Sequence, residues 1–270
     1  MDVTTACKRS AIHNLRIDVG GPDAGSASDG IEEGLAMPHA LLAASDLVIG
    51  ESVIVARILG DNRQNRVRTF VVPSSGESVE ARGSLGYFLS EGDLVCVISE
   101  TRLDAVGQRL HRSGDLHIVD YGIVPGKGFR DGTLKHERLG RPDEVRQTAP
   151  DQSLLRDSLM PRLMLNSLIT NLVVNDTNED CLLGSAEIPG VLMDQVGMTR
   201  HTMVTVFNAS AGGCTDTYAV PMPPGVVMTT GAMAGFAPLG TQVHVASYVL
   251  ADRNHAASIV RTDGNEAISS

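Results

Sequence analysis

Two stretches of the chain, EGLAMPHALLAASDLVIGESVIVARI at residues 33–58 and GSAEIPGVLMDQVGMTRHTMVTVFN at residues 184–208, carry one pattern. Each starts at a small residue and an apolar pair, reaches a proline, passes LL or LM into a short helical turn, and enters a β-like run. The likeness continues downstream. Thr69-Phe70 in RTFVV answers Thr217-Tyr218 in DTYAV, and a glycine follows fourteen residues after each threonine, Gly83 and Gly231. A second glycine follows nine residues later in both, Gly92 and Gly240. Internal similarity of this kind is the mark of a repeated structural unit. The chain therefore reads as a diverged tandem duplication of a β module of roughly 90–120 residues, within the ordinary range of domain sizes.

Working outward, short runs rich in β-branched residues dominate both flanks. DLVIGESVIVARIL (46–59), VRTFVV (67–72) and GDLVCVIS (92–99) are answered by TMVTVFN (202–208), DTYAV (216–220) and TQVHVASYVL (241–250), with Gly, Ser and Asn turns between them. The segment 122–160, GIVPGKGFRDGTLKHERLGRPDEVRQTAPDQS and its surroundings, is polar and rich in Gly, Pro and charge, and reads as a linker. A short helix is expected in SLLRDSLMPRLM (153–164) before Pro161 interrupts it. The expected organisation is a first barrel at 1–121, a linker at 122–160 and a second barrel at 161–270.

Composition bounds the function. The 270 residues are 42% apolar and 20% charged, which suits a packed core, and with aromatics at 3% and no Trp that core must be aliphatic. A formal net charge of −10 argues against nucleic acid or an anionic membrane surface as the main partner. The N-terminal MDVTTACKRSAIH has no apolar signal region, and no run of about 18 apolar residues occurs, so a soluble, cytoplasmic protein is expected. Cys7, Cys96, Cys181 and Cys214 show no CxxC spacing and read as free thiols. The histidines show neither HxxxH nor HExxH spacing, and GKGFRDG (126–132) lacks P-loop spacing, so neither a metal nor a nucleotide is expected.

On these residues the chain resembles the pyruvoyl-dependent aspartate 1-decarboxylases, which are double-psi β-barrels. KRSAIHNLRI (8–17), LLAASDLVIGESV (41–53) and SEGDLVCVISETRLDAVGQRLHRSGDLHIVD (90–120) resemble the family's opening segment, its helix and strand, and its closing strands. GSAEIPGVLMD (184–194) resembles its processing site. The resemblance implies a mainly β fold of two tandem double-psi β-barrel modules with short helices. It also implies a chemistry. The serine of a Gly-Ser pair attacks the preceding carbonyl, an N-to-O acyl shift makes an ester, and elimination and hydrolysis leave an N-terminal pyruvoyl group. That group forms a Schiff base with an amino substrate and accepts electrons as carbon dioxide leaves.

Carried over by position, Gly184 and Ser185 match the self-cleaving pair, whereas the first copy has Glu33-Gly34 there and no hydroxyl. Thr217 matches the threonine that bonds the scissile carbonyl, and Tyr218 the tyrosine that protonates the decarboxylated product, a place held by Phe70 in the first copy. Arg66 matches the carboxylate-binding arginine, where the second copy has Cys214, and His13 matches a family histidine, where the second copy has Thr170. The family's substrate-binding lysine falls on Ala11, with Lys8 and Arg9 two or three residues away. The family's Asn-Gly becomes Arg82-Gly83 and Thr230-Gly231. The resemblance thus implies catalytic Ser185, Tyr218, Thr217 and Gly184, substrate-binding Arg66, His13, Lys8 and Arg82, a pyruvoyl group from Ser185, and a small amino acid, aspartate by default, as substrate. It further implies a homo-oligomer, a dimer standing as a pseudo-tetramer. A second reading stays open: an unprocessed barrel repurposed as a cyclase, isomerase or small-molecule-binding protein in specialised metabolism. Met222, Met228 and Met233 around VPMPPG would then line an adaptable pocket.

Overall fold

The computed structural model describes residues 5–20, 31–58, 66–74, 76–103, 117–122, 133–138, 161–182 and 184–268. The chain divides into two compact units, one of residues 1–164 with 249–255, the other of 165–248 with 256–270.

Unit 1 holds β1 (Thr5–Arg16), β2 (Gly34–Met37), α1 (His39–Ser45), β3 (Ser52–Arg57), β4 (Arg66–Pro73), β5 (Glu80–Arg82), α2 (Ser84–Phe88), β6 (Leu94–Leu103), β7 (His117–Gly122) and β8 (Thr133–Arg138). Its sheet runs β5-β2-β4-β3-β6-β1-β7-β8. The local causes are plain. Pro38 starts α1, because its fixed φ suits a helix entrance, and Asp46 in the left-handed conformation (φ 54) ends it. On β6 the burial alternates residue by residue, as expected of a pleated strand with one face on the core.

The remaining elements are β9 (Arg162–Val173), β10 (Asp176–Asn178), β11 (Ala186–Pro189), α3 (Gly190–Gln195), β12 (Met203–Asn208), β13 (Cys214–Met222), β14 (Met228–Thr230), α4 (Ala232–Phe236), β15 (Gln242–Ala251), β16 (Ser258–Asp263) and β17 (Glu266–Ala267). Their sheet runs β10-β14-β11-β13-β12-β15-β9-β16-β17. Ile169, Leu172, Ile188, Leu192, Val204, Val206 and Val245 are among the aliphatic residues of the unit 2 core. Burying each such side chain contributes about 1.5–3 kcal/mol, so a core without Trp still stabilises the unit.

Sheet order and sense agree between the units. β2 lies parallel to β4 and antiparallel to β5, and β11 lies parallel to β13 and antiparallel to β14. Leu35 faces Val71 as Ala186 faces Ala219, which puts Glu33-Gly34 in register with Gly184-Ser185. Gly83 (φ 59, ψ −131) and Gly231 (φ 52, ψ −130) share one backbone conformation that a side chain would strain, which is why both positions are glycine.

The chain is mainly β with short helices, as the sequence indicates. Two local expectations change. DLVIGES opens with the helix-terminating turn, and the strand begins only at Ser52. The short helix expected before Pro161 lies outside the described residues, and strand β9 begins at Arg162. Within the segment read as linker, β8 pairs antiparallel with β7, and most of the remainder of 122–160, GKGFRDG included, is likewise outside them.

Candidate functional site

Ser185 immediately precedes β11, a strand with a neighbour on either side, and each neighbour supplies one threonine. From β13, the Thr217 hydroxyl donates to the Gly184 carbonyl oxygen at 2.7 Å. From the end of β14, Thr230 Oγ1 lies 2.8 Å from Ser185 Oγ and accepts from the Ser185 amide at 3.0 Å. The Thr230 amide donates in turn to the Ser185 carbonyl at 3.2 Å. Ser185 Oγ also donates to Glu187 Oε1 at 3.2 Å. Thr217 and Thr230 are buried, while Gly184 and Ser185 are partly exposed.

Gly184 is glycine for lack of room. A Cβ there would stand 3.1 Å from the Met233 amide nitrogen, 3.3 Å from the Thr230 carbonyl oxygen and 3.4 Å from the Ala232 nitrogen. The peptide between Gly184 and Ser185 is thus held by a donor on its carbonyl and an acceptor on its amide, with a hydroxyl nucleophile on its C-terminal residue. A hydroxyl on a carbonyl oxygen stabilises the negative charge that develops there when the carbon is attacked.

The equivalent place in unit 1 is closed. A Cβ on Gly34 (φ +119) would meet the Phe70 carbonyl oxygen at 2.8 Å, so no serine fits. The Glu33 carboxyl is fully buried, accepting from the Ser84 amide at 2.9 Å and the Ser84 hydroxyl at 2.8 Å. Burial pushes its pKa up to about 7 despite these donors. Thr69, the counterpart of Thr217, has a buried hydroxyl with no partner.

Of the expected site residues, the structure brings together Gly184, Ser185 and Thr217. Tyr218 follows Thr217 on β13, but strand alternation turns its side chain the other way, and it is half exposed. Arg66, His13, Lys8 and Arg82 belong to unit 1. Arg66 is exposed at the start of β4. His13 and Lys8 lie on β1, their side chains outside the described ones. Arg82 is buried, its Nε and Nη2 donating to Glu80 at 3.1 and 3.0 Å and its Nη1 to the Ile31 carbonyl at 3.4 Å. Arg9, near the displaced lysine, is likewise committed: it is fully buried and donates to Asp46 Oδ2 at 2.7 Å. Met233 packs into the unit 2 core.

Two contributors escape sequence reasoning: Glu187, and the Thr230 hydroxyl. The signal for Glu187 is its place two residues after Ser185, which strand periodicity puts on the same face. Thr230 matches in sequence the asparagine of the family's Asn-Gly, with no role given to its hydroxyl. Among the described residues no cluster of His, Cys, Asp or Glu suits a metal ion. No described helix is long and apolar enough to cross a membrane.

No curated protein matches the chain. Residues 160–269, the span that holds Gly184, Ser185, Thr217, Tyr218 and Thr230, match the model of the family described as aspartate decarboxylase, which supports that family for the C-terminal part of the chain.

Proposed function

We propose that unit 2 cleaves its own backbone between Gly184 and Ser185 and that the processed chain decarboxylates a small amino acid, aspartate by default. The observation that carries the reading is the Thr217 hydroxyl on the Gly184 carbonyl at 2.7 Å, with the Ser185 hydroxyl beside the same peptide. Ser185 Oγ attacks the Gly184 carbonyl carbon, Thr217 holds the oxygen as it gains charge, and the peptide C–N bond breaks to leave an ester. Elimination then expels the Gly184 carboxylate, and hydrolysis takes up one water and releases ammonia. The pyruvoyl group so formed at residue 185 supplies an electron sink for the carbanion that decarboxylation generates.

The matched sheet order and register of the two units support the further proposal that the chain arose by tandem duplication. In that view unit 1 has lost the chemistry, with Glu33 in place of Gly184. Arg66, His13, Lys8 and Arg82 as substrate-binding groups, and Tyr218 as proton donor, rest on the family likeness, as do a homo-oligomeric state and a cytoplasmic location. Arg82, already engaged by Glu80, is the weakest of these assignments.

Intact-protein mass spectrometry of the purified chain, alongside Ser185→Ala, tests the reading. Two fragments ending at 184 and beginning at 185 are expected, together heavier than the precursor by the difference between water and ammonia, and absent from the variant. A single mass near 28.5 kDa that persists through long incubation overturns it.

A further inference from the structure

We infer that Glu187 is the general base of the self-processing step, taking the proton from Ser185 Oγ as that oxygen attacks Gly184. The inference rests on the processing reading above and adds the group that reading lacks. A serine hydroxyl is a weak nucleophile until an adjacent base relieves it of its proton. Thr217 serves the carbonyl and cannot serve the nucleophile as well.

The hydrogen-bond pattern defines which way the proton runs. Glu187 Oε1, as a carboxylate oxygen, only accepts, so the 3.2 Å contact takes the Ser185 hydroxyl proton. Thr230 Oγ1 lies 2.8 Å from Ser185 Oγ and accepts from the Ser185 amide at 3.0 Å. Glu187 thus attends the nucleophilic oxygen, while Thr230 holds the nitrogen that departs.

The step balances. A bond forms between Ser185 Oγ and the Gly184 carbonyl carbon, the hydroxyl proton moves to Glu187, and the carbonyl π electrons move onto the oxygen held by Thr217. Collapse breaks the bond from that carbon to the Ser185 nitrogen. The proton taken up by Glu187 then passes to the departing nitrogen, which leaves as an amine, so the shift from amide to ester is neutral overall and Glu187 is a carboxylate again. The strand makes this possible. Residues 185 and 187 share one face at the start of β11, so a side chain two residues on returns to the nucleophile without any distant element moving.

The test follows cleavage of newly purified chain by intact mass over time. It compares wild type, Glu187→Gln, Glu187→Asp and Glu187→Ala with and without added sodium formate or acetate. General-base removal is expected to slow cleavage on the order of 100-fold in Glu187→Gln, with part of the rate retained in Glu187→Asp. Added small carboxylates are expected to speed Glu187→Ala and to leave wild type unchanged. With a merely structural glutamate, the Glu187→Ala rate would not depend on added carboxylate. Wild type that cleaves together with Glu187→Gln at an equal rate overturns the inference and leaves the proposed function standing. Should Glu187→Gln fail to fold by circular dichroism, a Glu187→Ala chain that folds and ignores added carboxylate overturns it equally. Wild type that stays whole overturns both.

Discussion

Glu33→Gln isolates a buried titration and reads its size. Glu33 is fully buried with its pKa pushed from 4.5 to about 7, burial outweighing the donors Ser84, Gly34 and Leu85. In the unfolded chain the same carboxyl ionises near its ordinary value, so between pH 4.5 and 7 the folded form holds more proton than the unfolded form. Stability from this group is therefore full below pH 4.5 and is lost as pH rises through 7. At about 1.36 kcal/mol per unit, the loss across the window is about 3 kcal/mol. His244 acts in the opposite sense. Burial pulls its pKa down from 6.5 to about 4, and its Nδ1 accepts from the Asn171 amide at 3.0 Å, so its contribution is present above pH 6.5 and lost as pH falls toward 4. A wild-type curve alone would mix the two, whereas the difference between wild type and Glu33→Gln cancels His244. Glutamine keeps the size of the neutral acid and one carbonyl oxygen for the Ser84 amide. Urea unfolding followed by circular dichroism at pH 5 and pH 8 is the assay. Glu33→Gln is expected to gain about 2.5 kcal/mol on wild type between these values. Parallel pH dependences in the two proteins would refute the reasoning and place Glu33 in a solvated or fully charge-compensated setting.

Three further outcomes follow from the geometry. Thr217→Val removes the donor on the Gly184 carbonyl and is expected to slow cleavage about 10²–10³-fold, read as the half-time of fragment appearance by mass spectrometry. Thr69→Val removes a buried hydroxyl that has no partner, so unfolding free energy is expected to stay level or rise by about 1 kcal/mol, measured by urea denaturation. Arg162→Met takes one of two fully buried arginines from around Glu51 and Asp46, breaking contacts of 2.6 and 3.0 Å. Loss of one partner from a buried charge cluster is expected to cost about 3–5 kcal/mol, seen as a lower denaturation midpoint.

Much of the fold was legible in the sequence, because the signals that encode it are local. Pro38 and Pro189 mark the starts of α1 and α3, and Gly83 and Gly231 mark turns that no side chain tolerates. Runs of β-branched residues locate the strands to within a few positions, and the equal spacing of those signals makes the two units visible. Gly184 and Ser185 stood out for the same reason, as a pair at a defined place in the repeat. The reading was incomplete where charge and burial had to be decided together. Arg9 and Arg82 read as cations free to meet a substrate, yet Asp46, turned inward by its left-handed helix end, and Glu80, two residues from Arg82, hold them in place. Nor does any local pattern say that Thr217 stands on the Gly184 carbonyl or that Thr230 stands on the Ser185 hydroxyl. Those meetings join residues 33 and 45 positions apart and depend on β11 pairing with β13 on one edge and β14 on the other. Periodicity, turn chemistry and composition are properties of neighbouring residues, so the sequence by itself determined most of the elements and singled out the Gly184-Ser185 pair. Register between distant strands is a property of the packed sheet, and only the tertiary structure decided which hydroxyl and which carboxylate attend that pair.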